Sequence, residues 1–304
     1  MKQYIYDNID PKFLEEEVRC DYYISAEQKR VWAIEMDMLK KLLDVCKRHD
    51  IQMFAYAGTL IGAVRHKGFV PWDDDMDFFL TRENFEKLKK VAKDEFKEPY
   101  FFQNARTDKQ FFIGYSRLRN SDSTGILKWE KSLDYNNGIY IDIFVMDAFI
   151  NDRKLVANQR RKAKLLGKLA EHYYAPYNTR NTLQKIVLFI FKHTFAKIVP
   201  YDLLINLYDK QLRKYEGQTD MYAMLTHDDS FVNYFDKDDI SETIYMDFED
   251  IKMPVPKGYD KMLRTQFGDY MSFPPVESRG NWHEDNITYD PDTPYKEYIK
   301  NHEK

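Results

Sequence analysis

The chain has 304 residues, of which 43% are hydrophobic, 32% charged and 16% aromatic, and its net charge is −4. That composition supports a sizeable core, and the slightly acidic balance argues against a general nucleic-acid binder. Two cysteines, Cys20 and Cys46, make neither a disulfide framework nor a cysteine-rich zinc site, which points to a reducing, cytoplasmic setting. The N-terminal residues lack the apolar core of a signal peptide. No uncharged apolar stretch reaches the roughly 18 residues of a membrane span.

Residues 26–49 read as a helix, with Val31, Ile34, Met38, Leu42 and Val45 on one face. "IQMFAYAG" follows as a strand entering a glycine turn, and "MDFFL" reads as a second strand. Thr81 is placed to cap a helix that carries Phe85, Leu88 and Ala92 along one side. "FFIGYSRLRNSDS" alternates loosely as a further strand. "GIYIDIFVMDAF" is the clearest strand: Ile139, Ile141, Ile143 and Val145 point one way, and Tyr140, Asp142 and Phe144 the other. Asp142 is thus a lone carboxylate on an expected central strand. The character changes at Asn151: between there and Pro200 stand 11 Lys or Arg and 2 acidic residues. Within that stretch "LQKIVLFIFKHTFAKIV" looks helical and strongly apolar, and another amphipathic helix follows Pro200. A strand, a Pro-Gly turn and a short helix close the pattern after residue 246.

"GTLIGAVRHKGFVPWDDDMDFFL", residues 58–80, sets four carboxylates in five positions, Asp73, Asp74, Asp75 and Asp77. Strand geometry places residues i and i+2 on one face, so Asp75 and Asp77 would form a hard oxygen site for Mg²⁺ or Mn²⁺, with Asp142 as the third carboxylate. Asp73 is in phase with them but lies in the turn. Asp74 would face the other way, solvated or as a helper. An acidic turn before an edge strand explains the bare cluster equally well. Gly58 and Thr59 shift the balance, because a small residue and a hydroxyl at a strand end let the backbone approach a phosphate. A phosphate-holding turn beside a two-carboxylate strand is the layout of nucleotidyltransferase folds.

These residues resemble the signature of the LicD family, which includes bacterial phosphocholine transferases and the fukutin-related proteins. "RLRNSDST", "GIYIDIFVMD" and "FGDYMSFPPVESRGNWHE" are similar to the family's later motifs, while residues 151–245 match less well. Val145 stands where the family usually has proline, and "NWHEDN", with His283, stands where it often has paired histidines. The resemblance implies an α+β fold: a nucleotidyltransferase-like mixed β-sheet core flanked by helices, with a helical insertion. The division expected is a catalytic core over 1–150, a basic, largely helical insertion over 151–245, and a C-terminal part over 246–304 packing back on the core.

It also implies transfer of phosphocholine, or a similar phospho-alcohol, from a CDP-alcohol such as CDP-choline to a sugar hydroxyl. The acceptor would be a teichoic acid or another surface-glycan precursor, and CMP would leave. Carried over residue by residue, Asp75 and Asp77 would hold the metal with Asp73 assisting. Asp142 would bind a second metal or act as base for the acceptor hydroxyl. Gly58 and Thr59 would support the donor's phosphates.

Arg65, His66 and Lys67 would neutralise the diphosphate, Arg65 being the best fitted because a guanidinium grips phosphate in a bidentate manner. For Lys67 a solvated basic loop is the plainer reading. One of Arg117 and Arg119, which share a strand face, would reach a phosphate, the alternative being surface pairing with nearby acids. Arg279 has a similar standing. Two other readings remain open, an NTP-using nucleotidyltransferase that releases pyrophosphate and a non-catalytic binding protein on the same fold. The basic stretch 151–200 reads either as a peripheral contact with the inner face of the cell membrane or as an ordinary buried helix with a basic exposed face.

Overall fold

A computed structural model describes residues 5–6, 9–177, 181–226, 234–280 and 286–302; His283 lies outside them. Strands β1 (Glu17–Arg19) and β2 (Tyr22–Ile24) form a small hairpin before helix α1 (Ala26–Arg48). Ser25 caps α1 by accepting from the Gln28 N–H, and Lys47 and Arg48 sit in its last turn, where the helix dipole favours cations. Strand β3 (Phe54–Ala55) leads into the short helix α2 (Ala57–Ile61), which continues as one wide turn over Gly62–His66. Strand β4 (Asp77–Thr81) feeds helix α3 (Arg82–Glu95), capped by Thr81 as expected.

Strands β5 (Tyr100–Gln103), β6 (Ser116–Asn120), β7 (Thr124–Leu127) and β8 (Ile139–Ala148) complete the first half. Helices α4 (Arg153–Tyr174), α5 (Thr182–His193), α6 (Phe195–Ile198) and α7 (Tyr201–Leu212) follow. Then come β9 (Met221–Ala223), β10 (Tyr234–Asp236), the hairpin β11 (Thr243–Phe248) and β12 (Ile251–Pro256), helix α8 (Tyr259–Phe267), β13 (Ile287–Asp290) and α9 (Tyr295–His302).

The fold is α+β, built on one mixed sheet. Its ten-residue strand β8 has β4 parallel along one edge; β6 and β9 pair antiparallel with the first and second halves of the other edge. β3 extends the sheet beyond β4, β10 beyond β9, and β5 beyond β6. Alternation sorts the two faces. Ile139, Ile141, Ile143, Val145, Phe78, Leu80 and Leu118 belong to the main core, which includes Trp32, Leu39 and Leu42 of α1. Burying so many branched side chains, at roughly 1.5–3 kcal/mol each, is the principal stabilising term. Phe79 and Met146, on the other face, pack with Phe54, Tyr56, Met224 and Phe235. At the end of β8, Arg82 grips both carboxylate oxygens of buried Asp147 at 2.7 and 2.8 Å, which pins α3 to the sheet.

The segment expected as a basic, largely helical insertion, 151–245, includes β9 and β10, which are strands of the central sheet. And α5 is no ordinary buried helix: Leu188 is its one buried residue. No helix among the described residues is long and apolar enough to cross a membrane.

Candidate active site

The register of the sheet assembles the centre. Asp77 of β4 lies opposite Asp142 of β8, and Asp142 lies opposite Arg117 of β6, so three charged residues share one face across three strands. Asp77 opens β4, and Thr59 Oγ1 fixes its start by accepting from the Asp77 N–H at 2.8 Å. On the other side the Asp142 N–H donates to Met76 O at 2.9 Å, extending the ladder one residue upstream. Asp73, Asp74 and Asp75 precede the strand outside regular secondary structure, so the pair Asp75 and Asp77 spans the strand end rather than lying within it.

One oxygen from each of Asp73, Asp74 and Asp75 lies within 4.8 Å of the others. Asp74, expected to be solvated, is buried, because Tyr289 of β13 closes over it and donates from its hydroxyl to Asp74 O at 3.2 Å. Asp73 O accepts from both Gln28 Nε2 (3.0 Å) and Trp32 Nε1 (3.1 Å) of α1. A methyl group at Gly58 would collide with Asp73 Oδ2, so the glycine is required for the carboxylate to fold down over α2. Ala57, just before it, takes φ +44° to turn the chain out of β3.

Crowding and burial act together on the carboxyls. Loss of water around Asp73 and Asp77, followed by the charge of Asp75, pushes both well above the usual carboxylate range. Glu35 of α1 is fully buried, and neither of its carboxylate oxygens has a hydrogen-bond partner. Burial, then Asp75, Asp74, Asp73 and Asp77 in that order, raise it too. Gln28, Trp32 and Glu35 recur at i, i+4 and i+7, so a single face of α1 underlies the acidic turn. None of the three stands out from sequence; the available signal was the polar Gln28 and Glu35 in phase with the apolar stripe.

Arg117 and Arg119 are buried, which corrects the surface-pairing alternative. Arg117 donates from Nε to Asp142 Oδ1 and from Nη1 to Glu130 Oε1, both at 2.6 Å, with its guanidinium 3.7 Å from the centroid of the Tyr140 ring. Arg119 is committed to Gln103 Oε1, Gly138 O and Glu130, and its side chain reaches no solvent. It is a core cation, set back from the carboxylates. Thr59 likewise spends its hydroxyl on Asp77.

Beside Asp73 and Asp75 opens a groove of about 580 Å³, bounded by Gly58, Arg65 and Trp72 on one side and by Phe267, Tyr270 and Phe273 on the other. Arg65 Nη1 donates to Tyr270 O (2.5 Å) and Ser272 O (3.0 Å), and its Nε donates to His66 Nε2 (2.9 Å). Arg279 lies against Trp72 and Phe273, its guanidinium 5.0 and 5.5 Å from the ring centroids, and it donates to Pro274 O and Cys20 O. His66 stacks on Phe273. Burial, then the charges of Arg65 and Arg19, lower His66 to about 4, so it is neutral near pH 7 and brings no positive charge to the groove. Lys67 caps the wide turn in a left-handed conformation and is exposed.

Acidic side chains from one strand end and its parallel neighbour, beside a glycine-containing helical turn, are the layout of a nucleotidyltransferase-like domain. Residues 50–189 match the family described as LicD/FKTN/FKRP, nucleotidyltransferase domain. Over 251 residues the chain is 29% identical to the lipopolysaccharide cholinephosphotransferase LicD of Haemophilus influenzae (strain ATCC 51907 / DSM 11121 / KW20 / Rd), covering 79% of this chain and 89% of that protein. It is also 33% identical over 113 residues to an uncharacterized protein of Rickettsia prowazekii (strain Madrid E), covering 37% and 38% of the two chains.

Proposed function

We propose that the chain transfers phosphocholine, or a similar phospho-alcohol, from a CDP-alcohol to a sugar hydroxyl of a surface-glycan precursor, releasing CMP. The observation that carries this reading is the similarity, over 79% of the chain, to a protein named a lipopolysaccharide cholinephosphotransferase. Teichoic acid is the finer expectation for the acceptor.

In such a transfer the acceptor oxygen bonds to the phosphorus that bears the alcohol. The bond from that phosphorus to the oxygen of the CMP phosphate breaks, and CMP keeps the electron pair. Little covalent work falls to the protein, which must align the groups and offset charge. Asp73, Asp75 and Asp77 would hold Mg²⁺ or Mn²⁺. The chemistry of the donors fits such an ion: Asp73 and Asp75 offer hard oxygens within 4.8 Å of each other, the charge of Asp75 bears on Asp77, and the buried carboxylate of Glu35 lies beneath them. A bound cation would neutralise charge that builds on the phosphates. Asp142, its Oδ1 held by Arg117, would offer Oδ2 to the acceptor's proton or to a second cation. Arg65 and Arg279 would bring positive charge to the groove where the diphosphate lies.

The test is product analysis with purified protein, CDP-choline, a sugar acceptor and Mg²⁺. CMP should appear in step with phosphocholine on the acceptor. Asp75→Asn and Asp77→Asn should abolish it while melting at or above the wild-type temperature in EDTA. Pyrophosphate from CTP, with no CMP from any CDP-alcohol, would establish the nucleotidyltransferase reading instead.

A further inference from the structure

α5 is apolar on two sides. Inward, Leu188 is buried and Phe191 packs against Tyr173 and Phe195, with ring centroids 5.4 and 5.1 Å apart. Outward, Leu183, Ile186, Val187 and Ile190 recur at i, i+3, i+4 and i+7, the spacing of a single helix face. That face is bare: these four are 70%, 52%, 53% and 55% exposed, Phe189 is 54% exposed, and Ile198 of the adjoining α6 is 80% exposed. A contiguous run of large aliphatic side chains left in water marks a surface that something else covers.

Charge says what covers it. Lys185 of α5 and Lys197 of α6 are exposed on the same two helices. α4, which packs on α5, exposes Arg161, Lys162, Lys164 and Lys168. Residues 151–200 carry a surplus of nine positive charges in a chain whose net charge is −4, so the remainder is strongly acidic. A second copy seated face to face on this patch would bring two such surpluses together. An anionic sheet of lipid headgroups would attract this end of the molecule and repel the rest. The helix has 12 residues, about 18 Å at the usual rise, far short of the roughly 30 Å of a bilayer core, so it would lie in the interface rather than cross it.

We infer that α5 and α6 dock the protein on an anionic bilayer, with Leu183, Ile186, Val187, Ile190 and Ile198 sunk among the headgroups and the surplus of Lys and Arg on these helices and α4 drawn to the lipid phosphates. This surface is distinct from the carboxylate centre, and the inference does not depend on which reaction that centre performs.

The experiment is co-sedimentation of the full chain with vesicles of phosphatidylcholine, pure or with a third of the lipid as phosphatidylglycerol, at low and at physiological salt. Partition onto the anionic vesicles should exceed that onto neutral ones at least about tenfold at low salt and weaken as salt screens it. Ile186→Asp with Ile190→Asp, and separately Ile198→Asp, should each lower partition by about tenfold or more, because a charge replaces an immersed methyl surface. The melting temperature should stay unchanged, since these side chains contribute little to the core. Lys185→Glu with Lys197→Glu should remove the preference for anionic lipid. Failure of the wild type to pellet with anionic vesicles at low salt would overturn the inference, as would wild-type partition by both isoleucine variants. A wild-type dimer that Ile186→Asp with Ile190→Asp converts to monomer would show that a second copy covers the face instead.

Discussion

Glu35 stands apart from the other carboxylates of the centre because it is wholly inside the protein and makes no hydrogen bond. Its carboxyl is raised by burial first and by the acidic turn second. A carboxyl raised on folding holds its proton more tightly in the native state, so its contribution is fully present below the unfolded value and is lost as pH rises through the folded one. Asp73 and Asp77 are raised in the same sense. Metal-free protein should therefore lose stability as pH climbs from about 4 toward neutrality. Glu35→Gln should remove part of that slope and stabilise the metal-free protein at pH 7 relative to wild type, because the amide has no charge to hold beside the acidic turn. Urea denaturation in EDTA across that range checks it, and parallel curves for wild type and variant would show that Glu35 contributes nothing to that slope. Arg117 is the counter-example at this scale: its charge is buried too, but Asp142, Glu130 and the Tyr140 ring accept it. Removing one partner of such a buried pair is costly in a way that truncating a surface arginine is not.

Among the elements, the link from β3 through α2 to β4 carries the most constraint in the fewest residues. Thr59 holds the start of β4, and Gly58 makes room for Asp73. Gly58→Ala should force Asp73 off α2 and lower Mg²⁺ affinity at least about tenfold in calorimetric titration while leaving the melting temperature nearly unchanged, because the clash is with the end of a flexible side chain. Unchanged affinity would mean that Asp73 is not needed for the ion. This link also shows where the sequence is informative. The alternation in β8 sorts its two faces correctly, because an aliphatic residue at every second position leaves one arrangement that buries them. The cap at Thr81 is local chemistry and is equally visible. The burial of Asp74 is not, since it depends on Tyr289, which arrives from 215 residues away. The same holds for Arg117 and Arg119, for which phosphate contact and surface pairing are both open readings of the sequence and which Glu130, between β7 and β8, pairs with inside the protein. Charged residues in a strand pattern cannot be assigned to surface or core without knowing which partner the tertiary fold delivers.

Taken whole, the molecule is unevenly anchored. The central sheet is packed on both faces, with α1 in the cluster on one and Met224, Ile240 and Met262 in the cluster on the other, whereas α5 is held mainly by Leu188 and Phe191. Elements with few buried apolar contacts open at low cost in free energy. Amide hydrogen exchange should therefore release residues 182–198 well before 139–146, and anionic vesicles should slow exchange in the first segment while leaving the second unchanged. Equal protection of the two segments in free protein would contradict this picture. Arg65 and Arg279 donate to backbone carbonyls at residues 20 and 270–274, and the groove is walled by residues 58–75 and 267–280.

The parallel pairing of β4 with β8 has a further consequence, for how the chain avoids misfolding. A strand displaced by one residue turns every side chain to the opposite face. Slipping β4 by one position against β8 would drive Asp77 into the layer of Ile141, Ile143 and Val145 and bring Phe78 to the acidic side. A carboxylate in that aliphatic layer would find neither water nor arginine, so the slipped sheet is excluded by the same charges that shape the groove. Asp77 and Asp142 thus serve as a key for strand alignment as well as a candidate ligand set. Replacing both with apolar residues would erase the distinction between correct and shifted pairings even though no hydrogen bond of the ladder is touched.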